Sequence, residues 1–211
     1  RFTLSTLPAA DFPLMDGKTG DQRLEIKQGR LKRLFDKTGF AMAHQDVRYY
    51  LNGLLLEVRA DRLLAVATDG HRLAKLEEEV SVDVEGTLQL IIPRKTVLEF
   101  NRLLGSGDES VRIDLTERMF RAYLDDTILT SKLVDGRFPD YERVIPHASG
   151  KTAVVDRDAF RQALLRTSIL SNEKYKGVRL SFGEGQLGLQ AHNPEQEEAE
   201  EELELEYGDE P

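Results

Sequence analysis

The same order of secondary structure recurs three times along this chain of 211 residues. Each copy is an amphipathic helix followed by two strands, and apolar periodicity places the helix starts roughly 64 residues apart. The predicted helices cover residues 29–38, 93–104 and 157–169, and Gly105 ends the second of them. Repeated strand–helix–hairpin units predict an α+β fold in which sheets stack and helices align.

A longer repeat, with an offset of 124 residues, relates an early part of the chain to its end. Residues 52–56 resemble residues 176–180, and residues 62–67 resemble residues 186–191 at the same offset. Coincidence between two hairpins of similar composition is the alternative interpretation. If the repeat is real, one unit holds two strand–helix–hairpin halves.

The repeat leads to a domain assignment. We predict a complete domain at residues 22–150, preceded by the end of another domain at 1–21 and followed by the first half of a third at 151–211. The chain begins without methionine, so we expect it to start inside a longer protein. The predicted strands cover residues 23–27, 50–58, 63–68, 72–80, 88–92, 111–115, 119–124, 128–133, 178–182, 186–191 and 202–207.

Composition excludes several classes of protein but not a nucleic-acid partner. Cysteine is absent, which excludes disulfides and fits a reducing, cytoplasmic compartment. No run of about 18 apolar residues occurs, so we predict no membrane span. The formal charge is −9, but residues 195–206 alone contain eight glutamates, and Asp209 and Glu210 follow. Because screening confines each field to about 10 Å, a basic face can coexist with this acidic segment.

Catalytic and metal-binding interpretations have little support in the sequence. Asp69 with His71, or His44 with Asp46, would resemble an acid–base pair, but neither has an evident third orienting group. Asp69-Gly70 is better explained as a turn between two strands. The four histidines lack the spacing of zinc ligands, and no phosphate-binding glycine motif occurs. We therefore predict no catalytic residue, no metal and no cofactor, and read the glutamate run as a solvated strand face.

Basic residues recur on the three predicted helices. Lysine and arginine aligned on parallel helices would meet phosphates without reading bases, which gives salt-sensitive binding. A charged helix face is usually only solvated, and this remains the simpler explanation for any one helix. Tyr49 and Tyr50 add stacking capacity, although packing within a strand is an equal alternative. The basic residues are Arg30, Lys32, Arg33, Lys37, Arg94, Lys95, Arg102, Arg157, Arg161 and Arg166.

Four segments together resemble the bacterial sliding clamp family, the beta subunit of DNA polymerase III. They are residues 44–53 (HQDVRYYLNG), 68–74 (TDGHRLA), 134–141 (VDGRFPDY) and 193–199 (NPEQEEA). The resemblance extends over essentially the whole chain. It implies a DNA-clamp fold, in which duplicated units form a ring with helices lining an inner face and antiparallel sheets outside.

The resemblance also implies a function. Members of this family form head-to-tail homodimeric rings that slide on duplex DNA without sequence specificity and transform nothing chemically. They dock DNA polymerase subunits, the clamp loader and repair proteins through short linear peptides. This chain is too short to close such a ring, since it lacks most of one domain and the end of another. We therefore expect a fragment of a cytoplasmic, nucleoid-associated processivity factor for bacterial DNA replication.

Site residues follow from the same resemblance, position by position. A client-peptide cleft is implied at Leu51, Thr68, Gly70, His71, Arg72, Leu73, Pro139, Arg143 and Val144. DNA-facing positions are implied at Gln45, Tyr49, Tyr50, Arg94 and Lys95, to which the basic helix pattern adds Lys32, Arg33 and Arg102. Two other hypotheses stay open at this point. One is a small hydrolase using Asp69 and His71, and the other is a clamp-like module that no longer holds DNA.

Overall fold

The computed structural model describes residues 1–12, 22–116, 118–146 and 150–206, and these residues form two compact units. The first unit runs from Arg1 to Tyr141 and the second from Glu142 to Pro211. The predicted boundary at residue 150 lies farther along the chain than this division. Residues 13–21 of the predicted first piece lie outside the described residues, and residues 1–12 contain one short 3-10 turn, Ala9–Asp11. The three-part domain assignment stays a prediction.

The first unit alternates strands and helices in the predicted order. Strands alternate in burial where one face meets the core, and the helices carry their apolar residues on one side. The elements are β1 (Gln22–Lys27), α1 (Gln28–Thr38), β2 (Gly53–Arg59), β3 (Arg62–Thr68), β4 (Leu73–Glu79), β5 (Leu88–Pro93), α2 (Arg94–Leu103), β6 (Ser110–Leu115), β7 (Met119–Leu124) and β8 (Thr127–Lys132).

Each sheet of the first unit combines strands from both of its halves. The sheets have the orders β1-β6-β7-β8 and β4-β3-β2-β5, and every pairing is antiparallel. β1 pairs with β6 from Gln22↔Leu115 onward, and β5 pairs with β2 from Leu88↔Val58 onward. β1, which precedes α1, thus joins the three strands that follow α2. β5, which precedes α2, joins the three strands that follow α1. This exchange ties the two halves into one folded unit.

The main core lies between the two sheets and the helices. Leu31, Leu34 and Phe35 of α1 are buried there, as their spacing predicts. Phe100 of α2 is fully buried, with its ring centroid 5.9 Å from that of Phe35 and 5.3 Å from that of Phe120 in β7. The three rings therefore connect both helices to a central strand.

A second, smaller cluster covers the opposite face of the β4-β3-β2-β5 sheet. Side chains alternate along β2, so Leu54 and Leu56 enter the main core while Leu55 faces the other way. The segment that follows β8 crosses this outer face, where the Val134 N–H donates to the carbonyl of Ile91 at 2.9 Å. Phe138 is buried in the cluster, with Leu73, Tyr50 and Tyr141 packed around it. The 134–141 segment is thereby fixed to the sheet that carries the 68–74 segment.

The second unit repeats the helix-then-hairpin order with a third strand. It contains α3 (Arg157–Thr167), β9 (Arg179–Gly183), β10 (Gln186–His192) and β11 (Glu198–Glu204), with the sheet order β11-β10-β9. Asp156 caps α3 by accepting the Ala159 N–H at 2.7 Å. Ala163, Leu187 and Leu189 form its small core. Among the helices of the described ranges, none combines the length and apolar character needed to cross a membrane.

The predicted α+β class is confirmed, but three element boundaries were wrong. Residues Tyr49–Asn52 form a 3-10 helix, so β2 begins at Gly53 rather than at Tyr50. The last strand is Glu198–Glu204 rather than 202–207, because the glutamate run itself pairs with β10, and Tyr207 lies outside the described residues. The third helix ends at Thr167 and continues as the 3-10 turn Ser168–Leu170.

Candidate functional site

The turn between β3 and β4, here called the 68–73 turn, is closed by its own side chains. The Thr68 hydroxyl donates to the Arg72 carbonyl at 2.7 Å and accepts the Gly70 N–H at 3.1 Å. The Asp69 carboxylate accepts the backbone N–H groups of His71 at 2.9 Å and Arg72 at 3.0 Å. Gly70 adopts a φ of +88°, which suits a residue without a Cβ. The turn therefore has a defined shape before any ligand binds.

The Asp69 carboxylate is hydrogen-bonded within this turn. Partial burial on its own raises the pKa of Asp69, but hydrogen bonds from the His71 and Arg72 N–H groups and from the Arg72 side chain lower it below its ordinary value. The carboxylate accepts the backbone N–H of His71, so it has a structural role that the hydrolase hypothesis does not require. Within the described ranges, no group of three metal-ligating side chains occurs either.

The 45–50 loop, residues Gln45–Tyr50, is closed in a similar way. Asp46 and Asn52 exchange hydrogen bonds, from the Asp46 N–H to Asn52 Oδ1 at 2.9 Å and from Asn52 Nδ2 to the Asp46 carbonyl at 2.8 Å. Arg48 donates to both carboxylate oxygens of Asp46, at 3.0 and 2.8 Å. The Arg48 side-chain hydrogen bonds hold the pKa of Asp46 at about 2. Gln45 has a φ of +59°, so the loop shape is maintained against a local backbone preference.

The structure brings most of the predicted cleft residues onto one part of the first unit. Leu51 is buried at the end of the 3-10 helix, while Leu73 packs in the outer cluster beside Phe138. Pro139 follows Phe138 directly and is exposed. Thr68, Gly70, His71 and Arg72 form the 68–73 turn itself. Arg143 and Val144 belong to the second unit, where both are exposed, and their place beside the turn stays a prediction.

The predicted DNA-facing residues differ in how they are held. Gln45 and Tyr49 are exposed, whereas Tyr50 is half-buried and packs in the outer cluster. In the first turn of α2, Arg94 and Lys95 have no ion-pair partner within the described ranges. The remaining three do have partners: Lys32 donates to the Asn101 carbonyl at 2.7 Å, Arg33 pairs with Glu78 and Arg102 pairs with Glu99 at 2.9 Å.

Arg48 is the residue that the sequence analysis missed. Its Nη2 donates to the Asp69 carbonyl at 3.3 Å, in addition to its bonds with Asp46. It therefore joins the 45–50 loop to the 68–73 turn, which are separated by about twenty residues of chain. The signal in the sequence was weak, since an arginine two residues after an aspartate is common on any surface.

Comparison with known proteins decides the family. The family model for the central domain of the DNA polymerase III beta subunit matches residues 25–140, and the model for its C-terminal domain matches residues 142–211. This chain belongs to the DNA polymerase III beta subunit family. The resemblance found in the four sequence segments is thereby confirmed, and the change from one family model to the next falls where the two units divide.

Relatives of the beta subunit family agree in sequence and in structure. The chain is 54% identical over 207 residues to the beta sliding clamp of Pseudomonas aeruginosa, and 50% identical over 207 residues to that of Escherichia coli K12. A crystal structure of the Pseudomonas aeruginosa beta subunit matches 99% of the chain with a TM-score of 0.93 and 53% identity. The predicted clamp fold is therefore confirmed.

The chain spans little more than half the length of these beta subunits. It covers 56% of each of the two relatives and 57% of the crystallised chain, while 98% of its own length is matched in both sequence comparisons. The two units correspond to the central and C-terminal family models.

Acid is expected to weaken the 45–50 loop of this beta-subunit chain. The folded-state pKa of Asp46 is depressed to about 2 from 3.8, so its stabilisation is present above about pH 4 and is lost as the pH falls through about 2. Denaturant unfolding from about pH 6 to about pH 2 should show a steeper loss for the unaltered chain than for Asp46→Asn. Parallel stability curves for the two proteins would contradict this assignment.

Proposed function

We propose that this chain is part of a processivity factor of bacterial DNA replication. The complete protein would form a homodimeric ring that encircles duplex DNA and holds polymerase on it, without catalysing a reaction. The supporting observation is the consecutive match of the central and C-terminal beta-subunit models to the two units. Such a protein would act in the cytoplasm, at the nucleoid.

The client-peptide site is proposed at the 68–73 turn together with Leu51, Pro139, Arg143 and Val144. Leu73, Pro139 and the 68%-exposed Val144 offer apolar contacts, while His71, Arg72 and Arg143 offer polar ones. The sliding clamp of Pseudomonas aeruginosa, which is 53% identical to this chain, has been solved bound to griselimycin. The expected clients are short peptides of polymerase subunits, the clamp loader and repair proteins.

The DNA-facing surface is proposed at Gln45, Tyr49, Tyr50, Arg94 and Lys95. The first turn of α2 contains no acidic residue, so the positive end of the helix dipole adds to the field of Arg94 and Lys95. Such a field attracts phosphates of any sequence. Lys32, Arg33 and Arg102 are proposed as weaker contributors, since each would have to leave its present partner before meeting a phosphate.

Binding of a client peptide tests the proposed cleft. A fluorescent peptide of the glutamine-leucine-x-leucine-phenylalanine type should bind this chain, and Pro139→Ala with Arg143→Ala should raise its Kd about tenfold or more. The reason is that each truncated contact at a peptide site typically contributes about 1–2 kcal/mol. Fluorescence anisotropy gives both constants.

Arg157→Ala serves as the control, because Arg157 is an exposed arginine at the start of α3 that pairs only with its neighbour Asp158 among the described residues. Its Kd should stay within about twofold of the unaltered chain. If this chain fails to bind but the full-length beta subunit binds, the missing part of the protein forms the dominant wall. If neither binds, client docking at this site is wrong.

A further inference from the structure

Two glycines, Gly70 of the 68–74 segment and Gly136 of the 134–141 segment, lie against consecutive side chains of the 45–50 loop. A Cβ on Gly70 would lie 3.1 Å from both terminal nitrogens of Arg48. A Cβ on Gly136 would lie 3.4 Å from Cε2 and 3.5 Å from the hydroxyl of Tyr49. Both glycines have positive φ, +88° and +142°. The Arg48 guanidinium thus packs against the backbone at Gly70, and the Tyr49 ring packs against the backbone at Gly136.

Polar bonds connect the same parts in series. Asp46 binds Arg48, Arg48 donates to the Asp69 carbonyl at 3.3 Å, and Asp69 binds the Arg72 side chain at 3.1 Å. Charges therefore alternate from the loop to the turn. The Arg48 bond is to the backbone carbonyl of Asp69 and the Arg72 bond is to its carboxylate, so a shift of Arg48 would reach Arg72 through the backbone of Asp69. The low pKa of Asp46 agrees with a well-formed pair at the start of this series.

The contacts lie between two surfaces with different proposed roles. Gln45 and Tyr49 are exposed on the side proposed to face DNA, whereas Thr68, Gly70 and Leu73 belong to the proposed client site. Tyr50 adds an apolar connection, since it packs in the same outer cluster as Leu73 and Phe138. The 45–50 loop consequently has polar contacts with the 68–73 turn, and Tyr50 shares an apolar cluster with Leu73 and Phe138.

We infer that Arg48 and Tyr49 couple the 45–50 loop to the 68–73 turn and to Gly136 of the 134–141 segment, so that the conformation of the loop sets the affinity for client peptides. This inference rests on the proposed function, and Arg48 and Tyr49 act in it as positioning residues. Thermodynamic linkage makes the coupling reciprocal, so a client in the cleft would change the affinity of the loop for DNA by the same factor. Binding at one of these surfaces would therefore change the affinity of the other for its ligand.

Asp46→Asn tests the inference without altering the turn itself. The variant removes the carboxylate that holds Arg48 and keeps a side chain of the same shape. Backbone amide spectra should show shifts at Gly70, His71 and Gly136 in the free chain, and the peptide Kd should rise about three- to tenfold, within the range of typical coupling factors. Asp108→Asn is the matched control, since Asp108 is also an exposed aspartate in an ion pair, with Lys27 at 2.9 Å. It should leave both readouts unchanged.

A double-variant cycle separates coupling from general weakening. Arg48→Ala should raise the Kd at least as much as Asp46→Asn, and the double variant should bind no more weakly than Arg48→Ala alone, since both changes break the same series. Arg48→Lys, which keeps the charge but has one nitrogen, should be intermediate. The inference would be overturned if the increase in Kd for the double variant equalled the product of the two single increases. Amide shifts confined to residues 45–52 would also overturn it. Absence of peptide binding by both the unaltered chain and the full-length beta subunit would contradict the proposed client docking, while the amide shifts would still decide the coupling.

Discussion

Replacing Phe100 by alanine is expected to lower the free energy of unfolding of the first unit by about 3–5 kcal/mol. Phe100 is 0% exposed, and its ring lies 5.9 Å from that of Phe35 and 5.3 Å from that of Phe120. Removing it leaves a cavity where α1, α2 and β7 meet, and the side chains packed around it can close this cavity only in part. Denaturant unfolding monitored by circular dichroism measures the loss.

Leu98→Ala provides the matched control on the same helix. Leu98 is 40% exposed, so its truncation should cost well under about 1.5 kcal/mol. Because the two units have separate cores, the transition of the second unit should be unchanged in both variants. A similar loss for the two substitutions would mean that the Phe35–Phe100–Phe120 cluster is not the centre of the fold.

Helix periodicity made the core predictable. Residues three and four apart lie on one helix face, and Leu31, Leu34 and Phe35 have this spacing, which predicts that they share the buried side of α1. Alternating polarity located β1, which is buried on one face, whereas β2 and β3 are continuous apolar runs that are buried on both faces. The sequence pattern did not predict which strands pair with one another. The exchange by which β1 joins β6 and β5 joins β2 depends on contacts between residues thirty or more positions apart.

The site was predictable only in part, for the same reason. The family segments placed the 68–73 turn, and Asp69-Gly70 was correctly expected to be a turn. The 3-10 helix at Tyr49–Asn52 was missed because it depends on the Asp46–Asn52 hydrogen bonds rather than on propensity. The partners of the basic residues were missed as well. Glu78 pairs with Arg33, which lies 45 residues earlier in the sequence, and no local sequence pattern predicts such a pair.

If the proposed DNA-facing surface is correct, removal of the Glu78 carboxylate is expected to increase DNA binding. Its side chain is 11% exposed and pairs with two arginines of α1, with Arg33 directly and with Arg30 at 3.6 Å. Arg30 also donates to the Glu79 carbonyl at 2.5 Å, so it is held from two sides. While these bonds persist, the guanidiniums are partly neutralised. A phosphate that approaches α1 has to compete with a carboxylate already in place.

Glu78→Gln is therefore expected to raise the affinity for duplex DNA about tenfold at low salt. Each arginine that gains a phosphate contact steepens the slope of log K against log salt concentration by about 0.9, so freeing both would steepen it by about 1.8. Fluorescence anisotropy with a labelled duplex, over a series of salt concentrations, measures the affinity and the slope. Two duplexes of unrelated sequence should give the same result, since phosphate contacts carry no sequence information.

Glu77→Gln removes the same charge from the neighbouring position and so controls for net charge. Glu77 pairs with Arg62 at 2.7 Å, on β3 rather than on α1. This variant should change the affinity by no more than about twofold, because the field of a single exposed charge is screened within about 10 Å. Equal gains in the two variants would show that only overall charge matters. An unchanged or shallower slope for Glu78→Gln would remove Arg33 from the DNA-facing surface and would leave Arg94, Lys95, Lys32 and Arg102 as its basic residues.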